Sequence, residues 1–185
     1  MLLTAAKSLP KECRLHVFEA FRTQSRQFSK WNKRIVELGR EFPNEELPVL
    51  IKRCKNDIAD PVNQPSGHQG GTAIDVTIFE NNKPLDMGGE FADFSKHDLI
   101  ATNSPLITKI QSQNRMRVKD CMEGVGFINY NEEWWHYSYQ DRLWAAMKHF
   151  GNDKQEVDRS LYKYGACYGG TAGVSERFMD YLDFR

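Results

Sequence analysis

Alternating and helical patterns of apolar residues divide the first part of this chain into a strand followed by helices. Apolar and polar residues alternate over residues 15–21, which is typical of a strand, and we expect it to end at Arg22. Apolar residues then recur at helical spacing over residues 25–42, with basic residues between them. This pattern predicts an amphipathic helix that ends near Pro43. A shorter helix is expected over residues 47–54.

The next hundred residues mix strands and helices without a regular order. A run rich in β-branched residues over 72–79 predicts a buried strand, and a turn at 80–84 is expected to lead into a hairpin at 85–87. Residues 88–103 are expected to form a loop. The patterns predict helices over 105–124 and 142–150 and strands over 127–130 and 134–139. Because no regular βαβ alternation is present, the predicted fold class is α+β, with a central, mostly antiparallel sheet and flanking helices.

The character of the chain changes after residue 150. A helix is expected over 154–164, then a glycine-rich stretch over 165–173, then a last helix in the final dozen residues. The glycine-rich stretch lacks the Gly-Lys-Ser/Thr ending of a phosphate-binding loop, so a connecting segment is favoured over a phosphate site. We therefore expect one domain over residues 1–150 and an extension of unassigned role over residues 151–185.

Composition and charge exclude several classes of function. The 25 basic residues balance 25 acidic ones, so no net field favours nucleic acid or an anionic membrane surface. No apolar stretch has the length of a membrane span, and the first residues lack the charged start of an export signal. A cytoplasmic location is therefore expected. The four cysteines lie far apart in sequence, which favours free thiols in a reducing compartment over a disulfide in an exported protein.

Two short motifs about sixty residues apart contain the residue types of a hydrolytic metal site. The first runs from Ser66 to Asp75 and includes His68, and the second is Glu133-Trp134-Trp135-His136. Each motif alone fits ordinary packing or a loop. Together they offer two imidazoles, one carboxylate to bind a metal, and one carboxylate left to move protons. This set suits one Zn²⁺ per chain with an open coordination position.

The spacing within each motif requires the chain to bend. His68 and Asp75 are seven residues apart, an odd separation that would place them on opposite faces of a straight strand. The glycines at 70 and 71 permit a turn between them. Glu133 and His136, three residues apart, would also face opposite sides of a strand, so a turn or bulge is predicted at residues 132–133.

The chemistry of hydrolysis suggests roles for these residues and for one more. Glu133 is expected to act as the general base, taking a proton from the attacking water and passing it to the leaving amine. A positive donor is needed where negative charge develops, and Arg22, at the end of a predicted strand, is the best candidate. Three other histidines, at positions 16, 97 and 149, have no partners in sequence and are expected to be structural or solvated.

The two motifs, read as Ser-x-His-x-x-Gly-x-Ala-x-Asp and Glu-x-Trp-His, resemble those of the D-alanyl-D-alanine dipeptidases. These zinc peptidases belong to a superfamily that includes D-Ala-D-Ala carboxypeptidases and hedgehog-like domains. The resemblance spans residues 2–139 and includes segments 21–24 and 87–88. It implies a small α+β fold of the hedgehog and D,D-peptidase kind. It also implies a set of site residues: His68, Asp75 and His136 as zinc ligands, Glu133 as base, Arg22 as transition-state stabiliser, and Ser66 at the substrate carboxylate.

Two departures from the family pattern bear on the substrate. Family members carry about fifty more residues before the segment around Arg22, so a more open cleft is expected here. A family Asp that contacts the substrate amine corresponds to Ala92, so either Asp93 replaces it by a one-residue shift or the amine anchor is absent. The expected reaction is zinc-dependent hydrolysis of D-Ala-D-Ala or a related cell-wall dipeptide. Two alternatives remain: a D,D- or L,D-carboxypeptidase or endopeptidase acting on longer peptidoglycan stems, and a non-catalytic hedgehog-like zinc-binding module.

Overall fold

An antiparallel sheet with helices packed around it forms the described part of the chain, residues 1–64 and 66–150 of a computed structural model. The helices are α1 Leu2–Ser8, α2 Gln24–Glu41, α3 Leu47–Asp57, α4 His97–Ile100, α5 Lys109–Glu123 and α6 Arg142–Phe150. The strands are β1 Cys13–Glu19, β2 Ala73–Glu80, β3 Lys83–Pro84, β4 Ile128–Asn129 and β5 His136–Ser138. The predicted α+β class is confirmed. The predictions for residues 154–164, 165–173 and the final dozen concern residues outside the described ranges.

Strand β2 is the centre of the sheet. The strand order is β1-β2-β5-β4, with the short β3 also paired to β2, and the pairings are antiparallel. The first six residues of β2 are all buried, which fits the β-branched run that predicted this strand. In this register Asp75 lies opposite His136 on one side and opposite Glu19 on the other. The pairing therefore brings the two sequence motifs together at one end of β2.

Two apolar clusters stabilise this arrangement. The larger one joins the sheet to α1 and α5 and includes the fully buried side chains of Val76, Ile78, Val118, Met122 and Tyr137. Burying each such side chain contributes about 1.5–3 kcal/mol relative to leaving it in water. The smaller cluster lies between α2 and α3. No helix in the described residues combines the length and apolar character that a membrane crossing requires.

Three of the four cysteines lie in the described part of the chain. Cys13, Cys54 and Cys121 are buried and are not joined in disulfides. Burial raises the pKa of the Cys54 thiol to about 12, so this thiol is protonated at neutral pH. Free thiols, the favoured interpretation of the sequence, are confirmed at these three positions.

Helices α2, α3 and α6 lie where the apolar spacing predicted them, but other boundaries differ. Strand β1 ends at Glu19, three residues before the predicted end at Arg22. The predicted turn at 80–84 is shorter, because Asn81 and Asn82 both adopt positive φ, 50° and 66°, and close a two-residue hairpin. The predicted hairpin strand at 85–87 is therefore displaced to β3.

Local capping explains where helix α5 begins, and three other elements also differ from the prediction. Helix α5 begins at Lys109 rather than near residue 105, because Thr108 and Gln111 exchange two hydrogen bonds of 3.3 and 2.8 Å in a capping box. The predicted loop over 88–103 contains the short helix α4, and α1 was not predicted. The predicted strand over 134–139 is shortened to β5, because Trp134 and Trp135 lie in a turn.

Candidate metal centre

His68 is held in one tautomer by a backbone carbonyl. It lies in a tight helical turn over Gly67–Gly70, and Gly71 follows with a positive φ of 66°. The chain thus bends at the glycines, as the odd spacing predicted. The His68 Nδ1 lies 2.8 Å from the carbonyl oxygen of Ala20, which can only accept a hydrogen bond, so Nδ1 carries the proton. The Nε2 lone pair is therefore available, and it lies 3.3 Å from Oδ1 of Asp75.

Asp75 is a buried carboxylate between two imidazoles. Its side chain is about 5% exposed and projects from the central strand β2. Burial disfavours the charged form, but the adjacent His68 and His136 outweigh this and hold the pKa of Asp75 well below its usual range. The carboxylate is therefore ionised at neutral pH, as a metal ligand must be.

His136 completes the cluster from strand β5. Its Nδ1 lies 3.0 Å from Asp75 Oδ1, and its Nε2 lies 3.4 Å from the hydroxyl of Ser138. Burial opposes protonation of the imidazole, but the hydrogen bond with Asp75 outweighs burial and raises the pKa of His136. The Ser138 hydroxyl in turn interacts with the buried carboxylate of Asp141. When Ser138 donates to Asp141 and accepts from Nε2–H, the Nδ1 lone pair of His136 is left for a metal.

These three side chains fit a tetrahedral metal ion. One ligand atom from each of His68, Asp75 and His136 lies within 4.8 Å of the others. Zinc bonds of about 2.0–2.1 Å in tetrahedral geometry place ligand atoms roughly 3.4 Å apart. The distances of 3.3 and 3.0 Å from Asp75 Oδ1 to the two imidazole nitrogens match that separation. Two neutral imidazoles and one carboxylate are a donor set typical of catalytic zinc sites with one open position.

Glu133 lies beside this cluster without being part of it. A turn precedes β5, with hydrogen bonds of 2.9 Å from Glu133 N to Tyr130 O and 3.3 Å from His136 N to Glu133 O. This turn is the bend predicted near residues 132–133, and it brings Glu133 Oε2 to 4.0 Å from His136 Nδ1. Burial, with the nearby Asp75 charge, raises the pKa of Glu133 to about 7 despite the opposing effects of His136 and Arg22.

Arg22 lies near Glu133 and is held in place by two polar side chains. Its Nε and Nη2 donate to both oxygens of Glu19 at 3.0 and 2.6 Å, and its Nη1 donates to Gln27 at 2.6 Å. An arginine has five N–H donors, so two remain beyond the three used here. The Arg22 backbone N–H also donates to the His68 carbonyl at 3.0 Å, which ties the two segments together.

Glu19 forms ion pairs with three cations beside Arg22's segment of the chain. Besides Arg22, it contacts Lys30 Nζ at 2.7 Å and Arg26 Nε at 3.2 Å. Burial opposes ionisation of Glu19, but its bonds with Arg22 and Lys30 outweigh it and lower the pKa to about 2. The pairing holds the guanidinium of Arg22 in a single orientation.

A cavity of about 230 Å³ joins these residues. Its lining includes the three candidate ligands, Glu133, Arg22 and Ser66, together with aromatic side chains such as Tyr130 and Trp135. A family model described as D-ala-D-ala dipeptidase matches residues 4–155. The chain belongs to the peptidase M15 family.

Several members of this family are similar in sequence over part of their length. The chain is 35% identical over 91 residues to the D-alanyl-D-alanine dipeptidase of Synechocystis, which covers 44% of this chain and 37% of that protein. It is 35% identical over 102 residues to the enzyme of Enterococcus faecium (54% and 46%) and 32% identical over 98 residues to that of Escherichia coli (51% and 49%). The matched region thus spans half or less of these three relatives.

Two solved structures are also similar at low identity. The VanY D,D-pentapeptidase of a VanB-type resistance cassette, in complex with Zn(II), has a TM-score of 0.45 and 17% identity, covering 80% of this chain and 71% of that chain. VanYB in complex with D-alanine-D-alanine has a TM-score of 0.38 and 20% identity, covering 80% and 70%.

Of the seven candidate site residues in this M15 chain, six line the cavity and one does not. The six are Arg22, Ser66, His68, Asp75, Glu133 and His136. Asp93 lies outside the cavity lining, and its carboxylate binds the Ser95 hydroxyl at 2.5 Å and Lys96 at 3.1 Å. Ala92 lines the cavity instead, with a positive φ of 59°. In this structure Asp93 contacts its own loop rather than the cavity, and the one-residue shift stays a prediction.

Sequence analysis missed three residues that support the site. The sequence did offer one clue to Glu19: its carboxylate lies three residues before Arg22, the candidate stabiliser of negative charge. Asp141 also carried a signal, since an acid directly before a predicted helix is a common N-cap, and its Oδ1 accepts from Trp144 N at 2.8 Å. No sequence pattern indicated that Ser138 would contact the second nitrogen of His136.

Proposed function

We propose that this protein is a zinc-dependent peptidase that hydrolyses the D-Ala-D-Ala dipeptide or a closely related cell-wall dipeptide. The observation that carries this proposal is Glu133, a partly buried carboxylate held next to the three candidate ligands but outside their set. A structural zinc site has no use for such a group, whereas hydrolysis needs one. The substrate class is supported by relatives named D-alanyl-D-alanine dipeptidase.

His68, Asp75 and His136 would hold the zinc ion, through Nε2, a carboxylate oxygen and Nδ1 respectively. Bound zinc would supply Lewis acidity, lowering the pKa of water toward about 7 and polarising the scissile carbonyl. The protein fixes both imidazoles before the metal arrives, because Ala20 and Ser138 each occupy the nitrogen that faces away from Asp75. Less reorganisation is then needed on binding.

Glu133 would move the protons of the reaction. It takes one proton from the attacking water, whose oxygen forms the new bond to the carbonyl carbon. It then returns that proton to the amine when the carbon–nitrogen bond breaks. Burial raises the pKa of Glu133 in the metal-free site, which favours a carboxyl group that can hold a proton between the two steps.

Arg22 and Ser66 would orient the substrate and stabilise charge. The two N–H donors of Arg22 that Glu19 and Gln27 leave unused can meet the carbonyl oxygen as it gains negative charge. The Ser66 hydroxyl is enclosed, and its O–H group has no acceptor among the described residues, so this donor is available to a substrate oxygen.

Two alternative functions make different demands on the site. A non-catalytic zinc-binding module would not need Glu133, so the presence of this residue favours the enzyme. A carboxypeptidase or endopeptidase acting on longer stem peptides is the second candidate, favoured by Ala92, which places a methyl group rather than a carboxylate at the cavity.

Three expectations from the sequence stay predictions. They are the domain boundary at residue 150, a cytoplasmic location and a small peptide as the partner.

Removal and return of the metal test the proposed function. The protein is stripped with a chelator, then supplied with one equivalent of Zn²⁺ and incubated with D-Ala-D-Ala or L-Ala-L-Ala. We expect release of D-alanine only after zinc is returned. Intact D-Ala-D-Ala after incubation with fully zinc-loaded protein would overturn the proposed substrate.

A further inference from the structure

The segment over residues 88–96 forms one wall of the cavity. It contributes two aromatic side chains, Phe91 and Phe94, to the lining, and the C-terminal end of α3 contributes residues 56–59. Both phenyl rings pack edge-on against the Trp135 indole, at centroid distances of 5.3 and 6.2 Å. The position of the 88–96 segment relative to α3 therefore sets the width of the cavity.

His97 joins this segment to α3 through a buried carboxylate. It directly follows the segment and begins α4, and its Nε2–H donates to Asp57 Oδ1 at 2.8 Å. Asp57 is the last residue of α3, and its side chain is 2% exposed, whereas that of His97 is 51% exposed. The contact therefore ties two walls of the cavity together through a histidine that solvent protons can reach.

The charges around Asp57 favour a second cation beside it. Arg34 Nε binds the other carboxylate oxygen of Asp57 at 2.6 Å. The same guanidinium also contacts Glu41 at 2.8 Å and Glu37 at 3.6 Å, so one cation faces three carboxylates. Asp57 also ends a helix, where the helix dipole favours positive charge. The protonated form of His97 supplies this charge.

The groups that face His97 favour its protonated form. The hydrogen bond from Asp57 raises the pKa of His97 above its ordinary value of 6.5, while partial burial and Arg34 of α2 oppose this. Glu132, in the turn before β5, adds to the increase. The adjacent charged residues on its own stretch of chain are Lys96 and Asp98. Because the raised pKa keeps the charge up to and above pH 6.5, the contact is strongest in mildly acidic solution and weakens as the pH rises.

We infer that His97 is a positioning residue: its protonated imidazole, paired with Asp57, holds the 88–96 segment against α3 and keeps the cavity wall in its substrate-binding position. The neutral imidazole holds the segment less firmly, so substrate binding weakens in alkaline solution. His97 lies outside the cavity lining and acts through the segment that it anchors. This inference rests on the proposed function and adds a pH-dependent control to its site.

Two substitutions at position 97 separate the charge from the hydrogen bond. The side-chain amide in His97→Gln can still donate to Asp57 but carries no charge, whereas His97→Ala removes both the donor and the charge. His149→Gln is the matched control, because His149 is exposed on α6 and lies outside the cavity lining. Since the His97 side chain is half exposed, these changes leave the core intact.

KM for D-Ala-D-Ala is measured at pH 6 and pH 9 on zinc-loaded proteins whose metal content is checked at both pH values. At pH 6, His97→Gln should raise KM about 3- to 10-fold over wild type, with a much smaller change in kcat. At pH 9 the two KM values should agree within about 2-fold, because the wild-type imidazole is then neutral. His97→Ala should exceed wild type at both pH values.

The ratio of the two KM values isolates the charge of His97. Titration of Glu133, of the bound metal or of the substrate amine affects wild type and His97→Gln alike and cancels in the ratio. His149→Gln should match wild type at both pH values. A ratio that is the same at pH 6 and pH 9, or equal KM values in wild type and His97→Ala, would overturn the role of His97.

Hydrogen exchange keeps the inference separate from turnover. Exchange of the backbone amides over residues 88–96 is followed by mass spectrometry at pH 6 in zinc-loaded wild type, His97→Gln and His149→Gln. We expect faster exchange of this segment in His97→Gln alone, with exchange of β2 unchanged. If this is observed but D-Ala-D-Ala is not hydrolysed, the proposed function fails while the positioning role stands. Equal exchange of the segment in all three proteins would overturn the positioning role itself.

Discussion

Replacing Glu19 by Gln should change the acid stability of the protein by a predictable amount. The pKa of Glu19 is about 2 in the folded protein against an ordinary value of 4.5, because Arg22 and Lys30 bind the carboxylate. The folded state therefore takes up this proton at lower pH than the unfolded chain does. The resulting stabilisation is fully present above about pH 4.5 and is lost as the pH falls through 2.

The size of this effect follows from the two pKa values. A difference of 2.5 units (4.5 minus 2) corresponds to about 3 kcal/mol in full. Between pH 6 and pH 3.5, linkage predicts a loss of about 1.4 kcal/mol from this one group. Glu19 is only 6% exposed, so solvent screening reduces the value little. At neutral pH, Glu19→Gln should cost about 3–5 kcal/mol, because three cations lose a buried partner.

Urea unfolding of both proteins at pH 6 and pH 3.5 measures this quantity. The metal is removed beforehand, since the candidate ligands would release it over the same pH range. The free energy of unfolding of the wild type should fall by about 1.4 kcal/mol more than that of Glu19→Gln over this interval. Equal losses in the two proteins would refute the assigned role of Glu19.

Two further predictions concern the support of the metal centre. Ser138→Ala should weaken zinc binding about 10- to 100-fold in a chelator competition, because His136 Nε2 loses the partner that fixes its tautomer, and Ser138→Thr should retain affinity. Gly67→Ala should lower the free energy of unfolding by about 1–3 kcal/mol, since its Cβ would lie 2.5 Å from Asp141 Oδ2. Gly39→Ala is its control: Leu50 Cδ1 at 3.8 Å leaves room, so helix α2 should gain roughly 0.5–1 kcal/mol. Equal urea midpoints for these two alanine variants, or unchanged zinc affinity in Ser138→Ala, would contradict these assignments.

The elements that could be predicted from the sequence are those with a strong local pattern. The apolar spacing of α2 and the β-branched run of β2 identified both to within a residue or two. The parity of the two motif spacings also predicted both bends, because side chains alternate along a strand regardless of the fold around it. The two halves of the site could therefore be placed on bent segments before their contact was known.

Tertiary contacts explain the elements and residues that the sequence did not reveal. Trp134 and Trp135 have high strand propensity, yet they lie in a turn, because Glu133 and His136 close a 3.3 Å hydrogen bond around them. Propensity is overridden here by packing in the core. The support from Glu19 depends on bonds to Lys30 and Arg22, which lie 11 and 3 residues away and meet only after β1 and α2 pack together.

Zinc content and turnover of Glu133→Ala, measured on the same preparation, test the central claim most directly. The account predicts one zinc per chain, as in wild type, with most turnover of D-Ala-D-Ala lost, because the general base is gone while the ligands remain. His68→Ala is the matched comparison and should lose the metal itself, because one of three ligands is removed. Wild-type turnover in Glu133→Ala, or a full stoichiometric zinc site in His68→Ala, would contradict the account.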